Sequence, residues 1–165
     1  MKTLLVIDIQ KELTHRAGIH KPGIFFDTVN AAIRKFREAG NTIVFIQHNS
    51  KLLEPGTHAW EIDERIDRNF IDKSIQKQHG NAFTGTDLRQ YLSSCGTTEV
   101  LICGMVTHQC VKATATGSVR LGYATSLLKN GHTNFHEDAA GIISRTEAAL
   151  LELGVKTVDL QDINR

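Results

Sequence analysis

Cys110 lies in the stretch Gly104-Met105-Val106-Thr107-His108-Gln109-Cys110-Val111. An apolar run at residues 100–103 precedes it and reads as a buried strand, and a helical pattern follows from 108 to about 121. With Thr107 as N-cap, the thiol falls at N3, where backbone N–H groups lack intrahelical partners and the helix dipole favours negative charge. That setting lowers a thiol pKa and suits a nucleophile. Taken alone, the same residue also fits a small buried hydrophobe, since free cysteine is among the most buried residue types. A cysteine nucleophile further needs a base, a group that stabilises the thiolate, and donors for the oxyanion on the attacked carbonyl. Asp8, at the end of an apolar run over residues 3–7, and Lys77, at the end of a short strand candidate at 74–77, can meet the first two needs. Peptide N–H groups around Val106 and Cys110 can meet the third. Each side chain also has a plain structural alternative, Asp8 as a cap or loop ion pair and Lys77 as a solvated lysine.

The elements that must position these residues follow from hydrophobic period. Residues 3–7, 42–47, 74–77, 100–103, 124–128 and 155–160 read as strands, several of them continuously apolar as in sheets covered on both faces. Residues 26–39, 87–94, 108–121 and 137–153 read as helices, the second capped by Thr86 and the last with Ile142, Ile143, Ala149 and Leu150 on its core face. Residues 11–23 and 48–69 show no period and read as loops, the second long enough to be a binding loop. Alternating strands and helices imply right-handed crossovers, and hence a three-layer α/β/α sandwich around a six-stranded, mostly parallel sheet. In such a sheet ligands bind beyond the carboxyl ends of the strands where strand order reverses. If the order is 3-2-1-4-5-6, Asp8, Lys77 and Cys110 gather on that edge.

A chain of 165 residues with 41% hydrophobic and 22% charged residues has the size and composition of one soluble globular domain, expected to span residues 1–165. A net charge of +1 argues against a polyanion-binding surface, so nucleic acid is not an expected partner. The apolar run ending at Asp8 is too short for a signal peptide or a membrane span. Three cysteines, Cys95, Cys103 and Cys110, without close pairs, suggest reduced thiols and a cytoplasmic protein.

Three motifs then carry a family resemblance: Asp8-Ile9-Gln10 after the first strand; Lys77 followed by Asn81-Ala82-Phe83 and Gly85-Thr86-Asp87-Leu88; and Gly104-x-x-Thr107-x-x-Cys110-Val111 with Thr114 and Ala115. In their order and spacing the sequence resembles the isochorismatase-like cysteine hydrolases, which include nicotinamidases and N-carbamoylsarcosine amidases. The resemblance implies Cys110 as nucleophile, Asp8 as general base and acid, and Lys77 as the cation that holds the thiolate. It also implies a cis peptide between Met105 and Val106 and an oxyanion hole from the amides of Val106 and Cys110. Hydrolysis of a small-molecule amide or ureido C–N bond through a thioester would follow, in a homo-oligomer, either dimer or tetramer.

Departures from the family pattern bear on these expectations. Nicotinamidases carry a metal on an Asp-x-His element after the second strand, where this chain has Gln47-His48-Asn49. No metal and no cofactor are therefore expected. Asn130-Gly131-His132 stands where many relatives have Asp-Ala-His. By position, Leu13, Gln47, His48 and Trp60 are candidate substrate-binding residues, with Trp60 alternatively a plug that pins the long loop or meets a neighbouring subunit. Two other functions remain open, an isochorismate-type ether or ester hydrolase and a catalytically silent binding protein of the same fold.

Overall fold

A computed structural model describes residues 1–163, so the last two residues of the expected domain lie outside the described residues. Six parallel strands form one sheet in the order β3-β2-β1-β4-β5-β6, with β1 at Lys2–Ile7, β2 at Thr42–His48, β3 at Lys73–Lys77, β4 at Glu99–Met105, β5 at Ala124–Thr133 and β6 at Lys156–Val158. The helices are α1 (Lys11–Thr14), α2 (Pro22–Glu38), α3 (Leu88–Ser94), α4 (Lys112–Arg120) and α5 (Ala139–Glu152).

Two apolar layers result from the alternation of strand side chains. Leu4, Val6, Phe45, Leu101 and Cys103 meet Phe25, Phe26, Val29, Ile33 and Phe36 of α2 on one face. On the other, Leu5, Ile7, Val44, Ile46 and Ile102 meet Leu88 and Leu92 of α3, Ala115 of α4 and Leu150 of α5. Both faces of the central strands are therefore dry, which is why their sequences show no polar alternation. Among the described residues no helix is long and apolar enough to cross a membrane.

Four local expectations change. Residues 11–23 are not all loop: α1 forms at once, and α2 begins at Pro22, whose fixed φ suits the first helical turn. The second long helix pattern starts later, with Asp87 rather than Thr86 in the cap position, although Leu88 N donates to Thr86 Oγ1 at 3.3 Å. On α5 only Leu150 of the four expected core residues is fully buried, because the helix also turns Ala139 and Thr146 inward. Finally, β5 runs on to Thr133: Ile102 pairs with Leu127 but Gly104 with His132, so the extra residues bulge before the strand rejoins β4. That bulge brings His132 to the sheet edge where the candidate site lies.

Candidate active site

Asp8 is the first residue after β1, and its backbone turns into the left-handed region (φ 49°) while its N–H donates to Ile46 O at 3.0 Å. The turn ends the strand's alternation and leaves a carboxyl group that is only 1% exposed. Directly across the ladder from Ile7 is Gly104, at φ 124°, where a Cβ would collide with the Ile7 carbonyl. Only glycine permits β1 and β4 to close this tightly at the point where both deliver their reactive residues.

Lys77 ends β3 and is the register partner of His48, the last residue of β2. Its side chain is fully buried. The ammonium donates to Asp8 Oδ2 at 2.8 Å, to His48 Nδ1 at 2.9 Å and to Cys110 Sγ at 3.3 Å. Three donors thus meet three acceptors, which is the full capacity of the group. Asp8 Oδ1 is buried and has no hydrogen-bond partner. A bare carboxylate oxygen beside a thiol is the atom that can receive its proton.

Burial pushes the Asp8 carboxyl above its ordinary value, and the Lys77 charge offsets this only in part. Burial likewise pushes the Cys110 thiol up, to about 11, with the neighbouring Asp8 charge adding to the rise and Lys77 opposing it. The expected depression of the thiol pKa is therefore reversed, and the local backbone explains part of the difference. Thr107–Val111 is a wide, π-type turn in which Val111 N reaches Val106 O at 3.4 Å, and Gln109 is non-helical at φ −115°, ψ −105°. The regular helix starts only at Lys112, so Cys110 does not occupy N3 of α4, where the dipole would act on it. Nor is Thr107 the helix cap. Its hydroxyl pairs with His132 Nδ1 at 3.1 Å, and His132 Nε2 pairs with Glu147 Oε1 at 3.1 Å, tying the turn to β5 and α5.

The Met105–Val106 peptide is cis. Behind the turn, α4 is held against the loop that leaves β3: Ala82 N donates to Thr114 Oγ1 at 3.1 Å, and the Asn81 side chain fills the space where a Cβ at Gly117 would sit. The strand end that carries Lys77 and the turn that carries Cys110 are thereby locked to each other.

The four candidate substrate-binding residues are placed differently from one another. Leu13 is half-buried and packs on the α2 side of the core. Gln47 is buried and its Nε2 donates to Trp60 O at 3.3 Å, within the protein's own loop. Trp60 is half-buried and donates from Nε1 to Asn49 Oδ1 at 2.8 Å. His48 turns its Nδ1 onto Lys77. Gln10, which was not singled out from the sequence beyond its motif, is fully buried and pairs with both backbone groups of His48, accepting from its N–H at 2.9 Å and donating to its carbonyl at 3.1 Å. It also donates to Trp60 O at 2.9 Å, so one amide fixes both ends of the residues 48–60 loop. Its place two residues after Asp8 was the available signal.

Ligand atoms of Asp8, His48 and Cys110 lie within 4.8 Å of one another, a spacing that would suit a metal ion. The Lys77 ammonium, however, hydrogen-bonds all three, and a second cation at that point would meet it at contact distance. The donor set does not fit a resident metal. A second group, His15, Asp63 and Glu64, has its buried member, Asp63, already bound by Arg65 and Thr14.

Comparison with known proteins agrees with this geometry. The chain is 26% identical over 155 residues to streptothricin hydrolase of Streptomyces noursei, covering 92% of this chain but only 56% of that protein. Among solved structures, an isochorismatase family protein superposes with a TM-score of 0.89 at 29% identity, over 95% of this chain and 97% of the other. The zinc complex of pyrazinamidase from Pyrococcus horikoshii superposes with a TM-score of 0.82 at 25% identity, over 96% and 98% of the two chains. The family model of the Isochorismatase domain matches residues 2–154, a span that contains Asp8, Lys77 and Cys110, and the chain therefore belongs to that family.

Proposed function

We propose that this chain is a cysteine-dependent hydrolase of a small-molecule amide or ureido C–N bond. The observation that carries the reading is the Lys77 ammonium held between Asp8 Oδ2 and Cys110 Sγ while Asp8 Oδ1 is left without a partner. The raised pKa values of both Asp8 and Cys110 support a resting thiol that loses its proton only as it attacks. The proton passes to Asp8, and the negative charge moves from carboxylate to sulfur while staying beside the same ammonium. Because the net charge near Lys77 is unchanged, the transfer needs little reorganisation of the buried site.

The thiolate then adds to the amide carbonyl, with the oxyanion taken by the amides of Val106 and Cys110. Collapse breaks the C–N bond, and Asp8 returns its proton to the leaving amine or ammonia. Water, deprotonated by Asp8, attacks the resulting thioester and releases the acid, and the proton held by Asp8 restores the Cys110 thiol. Lys77 has no N–H left for the substrate, so oxyanion stabilisation falls to the backbone.

The likeness to proteins named as streptothricin hydrolase and pyrazinamidase supports an amide or related C–N substrate. The half-buried Trp60 and Leu13 are the apolar candidates for substrate contact, and a homo-oligomer is the expected assembly. A panel of small carboxamides and ureido compounds, assayed for ammonia release, tests the reading. Release abolished in Cys110→Ala and in Asp8→Asn supports it. Unchanged turnover in Cys110→Ala removes covalent catalysis, and cleavage of isochorismate without activity on any amide moves the chemistry to ether hydrolysis.

A further inference from the structure

We propose that His48 is a positioning residue of the catalytic cluster: its Nδ1 accepts the third N–H of the Lys77 ammonium and so aims the other two at Asp8 and Cys110. The inference rests on the triad reading above, and it adds a fourth member in place of substrate contact.

The geometry carries it. An ammonium has no lone pair, so at 2.9 Å from Lys77 Nζ the His48 Nδ1 can only be the acceptor. That choice places the ring proton on Nε2 and makes the neutral ring the working form. Lys77 and His48 are register partners on adjacent parallel strands, so the two side chains leave the sheet on the same side. The His48 backbone is itself clamped by the Gln10 amide, which leaves the ring a short, fixed reach to the ammonium. Without this acceptor, a flexible lysine stem would have only two partners and one N–H in search of a third.

The same geometry gives His48 a pH signature. A protonated ring cannot accept at Nδ1 and presents a positive charge to Lys77. The groups that face it are Lys77 on β3, Asp8 after β1, Cys110 in the turn and His79 beyond β3. Burial and then the Lys77 charge hold its pKa below the usual imidazole value, with Asp8 opposing, which favours the accepting, neutral form.

The test uses the full chain in a Cys95→Ser background, in which the only other thiol, Cys103, is buried. Dithiodipyridine, an aromatic disulfide that reacts with thiolates in mild acid, reports Cys110. With His48 intact, protonation of its ring removes the Lys77 clamp, so the logarithm of the labelling rate declines more steeply as pH drops through the His48 titration than it does in variants with a non-titrating acceptor. In His48→Asn, whose amide oxygen supplies a non-titrating acceptor, that additional decline is absent and only the contribution of the Asp8–Cys110 pair remains. Circular dichroism checks each fold, and His48→Gln supplies a second non-titrating acceptor should the first variant misfold. Equal slopes in the parent and the acceptor variants overturn the proposal.

Turnover provides the second readout, on whichever amide the ammonia screen identifies. His48→Ala is expected to lower kcat by about 10- to 100-fold with little change in KM, and His48→Asn to recover most of it. A change confined to KM makes His48 a substrate contact and also overturns the proposal. The two readings fail separately: a steeper parent slope with no amide turned over keeps His48 and removes the amidase, whereas lost turnover in Cys110→Ala with equal slopes does the reverse.

Discussion

Two aspartates, Asp8 and Asp63, are each only 1% exposed, yet their surroundings set them to opposite tasks. Asp63 accepts from Arg65 Nε at 2.8 Å and Nη2 at 2.6 Å, from the Arg65 N–H at 2.9 Å and from Thr14 Oγ1 at 2.6 Å. Burial disfavours its charge, but these donors outweigh it and hold the carboxyl at about 2. Asp8 has one cation on one oxygen and nothing on the other, and its carboxyl is pushed up. A buried carboxylate with every lone pair engaged is a structural knot, here tying the residues 48–69 segment to α1. One with a bare oxygen has room for a proton and can do acid–base work.

The comparison breaks most sharply in activity. Asp8→Asn and Cys110→Ala should each lower ammonia release by about 10⁴-fold or more while the melting temperature moves little. Asp63→Asn should do the reverse, unfolding more readily with near-normal kcat per folded molecule. Similar kinetic losses in all three variants would collapse the distinction.

Next in size is Lys77→Met, which leaves the Asp8 carboxylate buried without its cation and should cost about 3 kcal/mol at neutral pH by urea denaturation. Because the folded-state pKa of Asp8 then lies still further above the unfolded value, the deficit should shrink as pH falls through it. Asp63 has the opposite sign. Its depressed pKa contributes stability that is fully present above about pH 4, is lost as pH falls towards about 2, and is worth about 2 kcal/mol. Asp63→Asn should therefore flatten the acid limb of the stability curve, measured by denaturation between those limits. An acid limb as steep as that of the parent protein would show that another group carries it.

The smallest expected effect sharpens the contrast at the chain Thr107–His132–Glu147, whose buried imidazole has both nitrogens hydrogen-bonded. Thr107→Val should cost about 1 to 2 kcal/mol, for one hydrogen bond and the acceptor it strands. Its effect on kcat should be far smaller than that of Asp8→Asn. A loss as large as that of Asp8→Asn would make the threonine a participant in the chemistry.

Much of this arrangement can be read before any coordinates. Apolar runs that stop at Asp8 and Cys103, with a short strand candidate ending at Lys77, mark strand ends, and an alternating strand–helix pattern sends those ends to one edge of a parallel sheet. The observed order β3-β2-β1-β4-β5-β6 agrees. Less visible was α1, since a four-residue helix leaves no period to detect. The continuation of β5 past residue 128 was hidden because the apolar run stops at Lys129, and Asn130, at φ 59°, forms the left-handed start of a bulge. Thr107 looked like a cap because Ser and Thr before a helical pattern usually are. Here a buried imidazole competes for its hydroxyl and the turn opens to π geometry.

Returning to the cysteine, the sequence by itself determined which chemical groups are available and on which strand ends they sit, because hydrophobic periodicity is local and survives in one dimension. Only the tertiary structure decided what those groups are in the resting protein. Lys77 meets a histidine 29 residues away and a cysteine 33 residues away, and their joint burial turns an expected thiolate into a thiol whose pKa is pushed up to about 11. Desolvation and Coulomb attraction depend on which distant elements close over a group, and no spacing along the chain encodes that balance.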